Sequence, residues 1–210
     1  MTAVVEALGA ASSSIRLKAA LAAGTEPRPD SVGPLVARCA VEPDFYVRDM
    51  LTWALTRHSV DQTVPALMRQ LESDIPQARS QALHTLSKIG DRRAWTTLTR
   101  ALLVDPDDEV ARSAWRVAVL YATADDAPEV ADILVTQLGR GDLDMHRSLS
   151  RALMQLADAA LPAVREAQKA ADPMVGGHAV ATEALMRDPE SGFAFDVEAA
   201  RRVAALGPGA

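Results

Sequence analysis

The chain has 210 residues and a formal charge of -6; 49% of its residues are hydrophobic and only 4% aromatic. That apolar content excludes a disordered chain, and the acidic balance excludes a whole-molecule basic field for nonspecific capture of nucleic acid or an anionic membrane. Dominance of Ala and Leu favours closely packed helices over strands, so the expected class is all-α.

Cys39 is the single cysteine, which excludes an internal disulfide and a cysteine zinc cluster and fits a reducing compartment. Its expected role is a small core residue on an apolar helix face. No run of about 18 apolar residues occurs, and residues 1–9 lack a basic segment followed by an apolar one, so a soluble, cytoplasmic protein is expected.

In chain order, Ile15-Arg16, Val47-Arg48, Ala78-Arg79, Ala111-Arg112 and His146-Arg147 each open a helical pattern, with successive arginines 32, 31, 33 and 35 residues apart. The same step then lands on His178, where the arginine is missing. A period of this size marks stacked helical hairpins, each of which buries its apolar face only against a neighbour. Val47, Met50, Leu51, Ala54 and Leu55 form one helical stripe, and Ala78, Ala82, Leu83 and Leu86 the next. Ala111, Ala114, Trp115, Ala118 and Val119 form a third, and Leu149, Ala152, Leu153 and Leu156 a fourth. Asp44, Asp74, Asp107 and Asp142 stand where these helices begin and are expected to cap free N–H groups.

The partner helices are predicted over 31–40, 60–71, 92–103, 127–138 and 160–171, with Pro34, Pro65, Pro128 and Pro162 near their starts. The predicted organisation is one domain over 1–210, with about six hairpins at 2–23, 30–58, 60–89, 91–122, 125–157 and 159–187. A terminal helix is predicted at 195–206, with a frayed tail after it.

The run LSKIGDRRAWTTLTRALLVDPDDEVARSAW resembles the HEAT repeat, in the short bacterial form called PBS-lyase HEAT-like. The likeness lies in the corner Asp105-Pro106-Asp107-Asp108, the opening Val110-Ala111-Arg112 and the exit Ile89-Gly90-Asp91, and extends over about residues 11–187. The resemblance implies a right-handed α-α superhelix whose second helices line a concave face that commonly holds another protein. It implies no enzyme, because fold alone does not carry chemistry.

Two polar rows are candidates for function. The ladder Arg16, Arg48, Arg79, Arg112 and Arg147 is a row of forked donors suited to carboxylates or phosphates. An acidic residue lies at every corner within its reach, so internal pairing with Asp44, Asp74, Asp107 and Asp142 is the favoured reading. The second row follows four or five residues later: Thr52, Trp53, His84, Arg116 and Arg151, with Asp49, Arg57, Lys88 and Gln155 nearby. It reads as a mildly basic groove with one aromatic anchor, the residue types that dominate binding energy at interfaces.

Trp53, Trp95 and Trp115 invite comparison with HEAT-like alkylpurine DNA glycosylases, the alternative reading. Those need a strong basic groove, and this chain lacks lysine-rich helix faces. His58, His84, His146 and His178 fall in different repeats with no i, i+4 pair, so no metal is expected. No nucleophile elbow, phosphate loop or dinucleotide fingerprint occurs, and only the repeat itself hints at bilin-lyase chemistry. The expectation is a non-catalytic, cofactor-free scaffold that binds a protein or peptide with acidic groups, with nucleic acid disfavoured.

Overall fold

The structure is a computed structural model in which residues 3–189 are described. The helix expected at 195–206 lies outside them. Twelve α-helices follow one another among the described residues, and no strand occurs there. They are α1 (Ala3–Leu8), α2 (Ser13–Thr25), α3 (Val32–Cys39), α4 (Phe45–Arg57), α5 (Val60–Gln70) and α6 (Pro76–Ile89). After them come α7 (Arg100–Leu103), α8 (Asp108–Tyr121), α9 (Ala127–Val135), α10 (Leu143–Gln155), α11 (Leu161–Ala167) and α12 (Pro173–Arg187). The helices fall into two compact units. Among the described residues the first comprises 3–99 together with 109–117 of α8, and the second comprises 100–108 and 118–189.

In the first unit the buried faces are the predicted stripes, Val47, Leu51, Ala54 and Leu55 on α4, with Met50 only half-buried, and Ala78, Ala82, Leu83 and Leu86 on α6. The α2–α4 pair is packed through small residues. Ala19, Ala20, Ala23 and Gly24 are buried, and a Cβ on Gly24 would stand 2.9 Å from the Ala54 Cα and collide with the Trp53 ring. Such an approach of backbones is open only to glycine. Gly90 ends α6 at a φ of 77°, a left-handed cap that glycine adopts without strain.

One buried carboxylate ties this unit together. Glu42, in the α3–α4 corner, has no exposed side-chain surface, and it receives Arg16 of α2 through both oxygens at 2.7 Å. Arg38 of α3 donates to it at 2.7 Å and the Asp44 N–H at 2.9 Å. The Glu42 carbonyl in turn accepts from Arg48 of α4 and Gln77 of α6, each at 2.9 Å. Four helices thus converge on one residue. Burial pushes the carboxyl up, but the Arg16 hydrogen bonds, the Asp44 N–H and Arg38 outweigh it and hold its pKa at about 2.

Three local expectations are corrected. Residues 92–103 do not form one helix: Arg92–Thr97 is a 3-10 segment, Leu98 is extended and only Arg100–Leu103 is α-helical. Thr96 and Thr97 bond their hydroxyls to carbonyls three residues back, a local competitor of the helix. Pro65 lies inside α5 rather than at its start. Asp74 is not the cap of α6: Ile75 occupies that position, its N–H bonded to Ser73 Oγ, and Pro76 supplies the first turn with no N–H to satisfy. Asp44 and Asp142 do cap, each accepting two N–H groups of its helix.

In the second unit the α10 stripe Leu149, Ala152, Leu153 and Leu156 is buried. Glu183 of α12 is a second carboxylate hub, bonded to Arg165, Gln168 and Arg187. Arg140 bridges Asp108 at 2.7 Å and the Pro106 carbonyl at 3.0 Å.

Removing one partner of a buried ion pair leaves the other charged and unmatched. Glu42→Gln is therefore expected to lower the melting temperature by about 10 °C or more. Replacing Arg16 and Glu42 together by Met and Leu should recover most of that loss. Thermal melts of the three variants check this; equal melting of wild type and Glu42→Gln contradicts it.

Candidate functional site

The arginine ladder is engaged inside the protein, and for four of its five members the hydrogen-bond partners differ from the corner aspartates expected. Arg16 uses Glu42, and its Nη1 reaches the carbonyls of Ala10 and Ala11 at 2.9 and 2.7 Å. Arg48 repeats that backbone contact, with Nη1 on the carbonyls of Glu42 and Pro43. Arg79 donates to the Ser73 carbonyl at 2.7 Å. In each case the side chain folds back five or six residues onto the corner before its own helix. The corner carbonyls have no helical partner and need donors. Arg112 pairs with Glu109, and Arg147 with Asp144, each three residues earlier on its helix. For Arg16, Arg48, Arg112 and Arg147 the expected aspartates Asp44, Asp107 and Asp142 are not the partners. The Asp107 N–H is bonded to Asp105 Oδ1.

The second row is mostly a surface. On α4, Asp49 and Arg57 are exposed and Trp53 retains 39% exposure, with one part of its ring over Gly24. On α6, His84 is half-buried and Lys88 exposed; Arg116 on α8 is exposed. Arg116 Nη1 lies 3.4 Å from His84 Nδ1. Thr52 is corrected: it is buried, 3.4 Å from Thr85 Oγ1, and belongs to the α4–α6 packing rather than to the surface. Arg151 and Gln155 are exposed on α10, in the second unit.

The charges on the first-unit face are uncompensated. Among the described residues Lys88, Arg57 and Arg116 form no ion pair, and the one hydrogen bond of Arg116 is to a ring nitrogen. Burial, then Arg116 and then Lys88 push the His84 pKa below its ordinary value, against an opposing pull from Asp49.

The sequence pattern missed a second cluster. His146 on α10 and His178 on α12 are both buried, with ring centroids 4.4 Å apart. The Gly139 N–H donates to His178 Nδ1 at 3.0 Å, which places the ring proton on Nε2. Nε2 then lies 3.0 Å from both the His146 carbonyl and Ser150 Oγ. Ser150 Oγ meets Thr182 Oγ1 at 2.7 Å, and Thr182 donates to the His178 carbonyl. The arrangement binds α10, α12 and the corner before α10 through a neutral imidazole. Its signal was present in the sequence: His146 and His178, like Ser150 and Thr182, stand 32 residues apart, one repeat.

Burial, then the neighbouring His146, push the His178 pKa down to about 4. Cys39 is buried and its thiol is pushed up to about 12, chiefly by burial, as suits an inert core residue. Among the described residues no three His, Cys, Asp or Glu side chains converge as a metal site, and no helix is long and apolar enough to cross a membrane.

Residues 34–119 match the family model described as HEAT repeats. That match covers under half of the chain, and the fold is an all-α repeat fold. Among solved structures it is similar to an engineered protein, at 18% identity and a TM-score of 0.50, covering 88% of this chain and 95% of that one. A second engineered protein matches at 18% identity and a TM-score of 0.48, covering 91% and 100%. The complex of CpcE and CpcF of phycocyanin lyase from Nostoc sp. PCC7120 matches at 16% identity and a TM-score of 0.41, covering 97% and 92%. No match was found among the curated proteins.

The pH dependence of stability follows from the two clusters. His178 has a folded pKa of about 4 against the ordinary 6.5, so the unfolded chain binds its proton first. Stability is full above pH 6.5 and falls as pH drops from there towards 4, by up to about 1.4 kcal/mol per unit. The lowered carboxyl of Glu42 gives a second loss between pH 4.5 and 2. Urea unfolding at stepped pH is expected to show the first window and to show a shallower one in His178→Gln, since burial also lowers His146 and His84; an unchanged slope in that variant contradicts the assignment.

Proposed function

We propose that the protein is a non-catalytic, cytoplasmic HEAT-repeat scaffold that binds a protein or peptide partner bearing acidic groups through the α4–α6–α8 face of its first unit. The observation that carries this reading is the contrast between two sets of arginines. The ladder arginines are engaged with carboxylates and corner carbonyls, whereas Arg116, with Arg57 and Lys88, has no acidic partner among the described residues. A guanidinium held only by a neutral ring nitrogen at 3.4 Å is a donor set available to a carboxylate.

Trp53 supplies the apolar anchor beside these charges. Its seat on Gly24 fixes the ring while leaving 39% of the residue exposed, so little side-chain entropy is lost on binding. Asp49 on the same face disfavours a second anion at its end and sets the polarity of a bound segment. Arg151 and Gln155 on α10 of the second unit are proposed to serve the same class of partner. Phosphate backbones are the less favoured anion, since the chain carries a charge of -6 and the face offers few lysines.

Affinity purification from the native cell with wild type beside a Trp53→Ala, Arg116→Ala variant tests the reading. The variant should melt somewhat lower, because the Trp53 ring packs on Gly24, yet remain folded at the assay temperature, and it should lose most of the specific partner. A partner retained by both proteins would remove the α4–α6–α8 face from consideration.

A further inference from the structure

The contact between Arg116 and His84 is unusual for a guanidinium. Its Nη1 approaches Nδ1 of His84 at the long end of hydrogen-bond distance, 3.4 Å, and Arg116 makes no other hydrogen bond or ion pair among the described residues. An N–H aimed at Nδ1 requires the lone pair there, so the ring in this state is neutral with its proton on Nε2. The arrangement is self-limiting: a proton on Nδ1 would break the contact and set two cations side by side. The charged groups around the ring are Asp49 from α4, Lys88 from α6 itself and Arg116 from α8. Two of the three are cations.

We propose, resting on the reading above, that a carboxylate of the partner seats between Arg116 and His84, and that His84 takes up one proton from solvent as it does so. The carboxylate accepts the Arg116 Nη1–H, which turns away from the ring. Nδ1 is then free to gain a proton and to donate to the second carboxylate oxygen. The incoming negative charge offsets Arg116 and Lys88, which, after burial, hold the ring neutral in the free protein. A group whose affinity for a proton rises on binding makes the complex tighter as pH falls. His84 thus couples partner affinity to pH near neutrality, on the side where the ladder and the buried histidine cluster remain intact.

A fluorescein-labelled deca-glutamate peptide, titrated at pH 8, 7 and 6 at one ionic strength, tests this. Wild type is expected to bind roughly fivefold more tightly at pH 6 than at pH 8. His84→Gln should bind with the wild-type pH 8 affinity at all three values. The His84 ring resonances should titrate at a higher midpoint with peptide than without. A pH trend that survives in His84→Gln, or a midpoint that peptide leaves in place, overturns the proposal. Binding with no pH trend in wild type sinks proton uptake while leaving the acidic-partner reading standing; no binding at any pH sinks both. A single-stranded oligonucleotide that displaces the peptide and shows the same His84-dependent trend would assign the seat to phosphate and overturn the carboxylate.

Discussion

A guanidinium withdrawn from water has to be matched, and the first unit is built around one such match. Arg16 reaches from α2 to Glu42, which also holds Arg38 and the Asp44 N–H, while its own carbonyl holds Arg48 and Gln77. The hub fixes the corner from which α4 starts. The position of α4 sets the seat of Trp53 on Gly24, and Gln77 registers α6 on the same corner. The surface proposed for binding therefore depends on a charge network it does not touch. Because the hub and the corner carbonyls engage Arg16, Arg38, Arg48 and Arg79, the exposed cations of α6 and α8 stand out as uncompensated.

The repeat period is the second organising constraint. Side chains about one period apart become neighbours within a unit: Thr52 with Thr85, Asp61 with Arg93, His84 with Arg116, and Asp108 with Arg140. The same step produces different physics at each place. At His84 it gives a half-exposed ring hydrogen-bonded by a guanidinium that has no acidic partner among the described residues. At His146 and His178 it gives two buried rings, one of them locked neutral by the Gly139 N–H. In the sixth repeat, which lacks the arginine, His178 instead accepts the Gly139 N–H from the corner before α10.

The all-α repeat class was legible in the sequence because apolar spacing and period are properties of the chain alone. The stripes on α4, α6 and α10 are buried as their spacing implies. The broken 92–103 segment was not legible, since a run of threonines competes with the helix through hydroxyl contacts that periodicity ignores. For Arg16, Arg48, Arg112 and Arg147 the hydrogen-bond partners differ from the expected aspartates for a geometric reason. Asp44 and Asp142 turn their oxygens to helix N–H groups, which leaves Glu42 and the corner carbonyls as acceptors. Thr52 shared the helical position of exposed Arg116 and Arg151, but the α4–α6 contact at that level is tight enough to bury it. The histidine pair was set aside because its members lie in different repeats, when equal register in adjacent repeats is what brings them together.

The central claim is that the α4–α6–α8 face, rather than the corners, receives an acidic partner segment. Mapping backbone amide shifts of the labelled protein during titration with an acidic peptide tests it most directly. The account predicts perturbations concentrated at Asp49, Trp53, His84, Lys88 and Arg116, with the amides around Arg48 and Arg79 at the corners unmoved. Perturbations confined to those corners, with the α4–α6–α8 face silent, would contradict it.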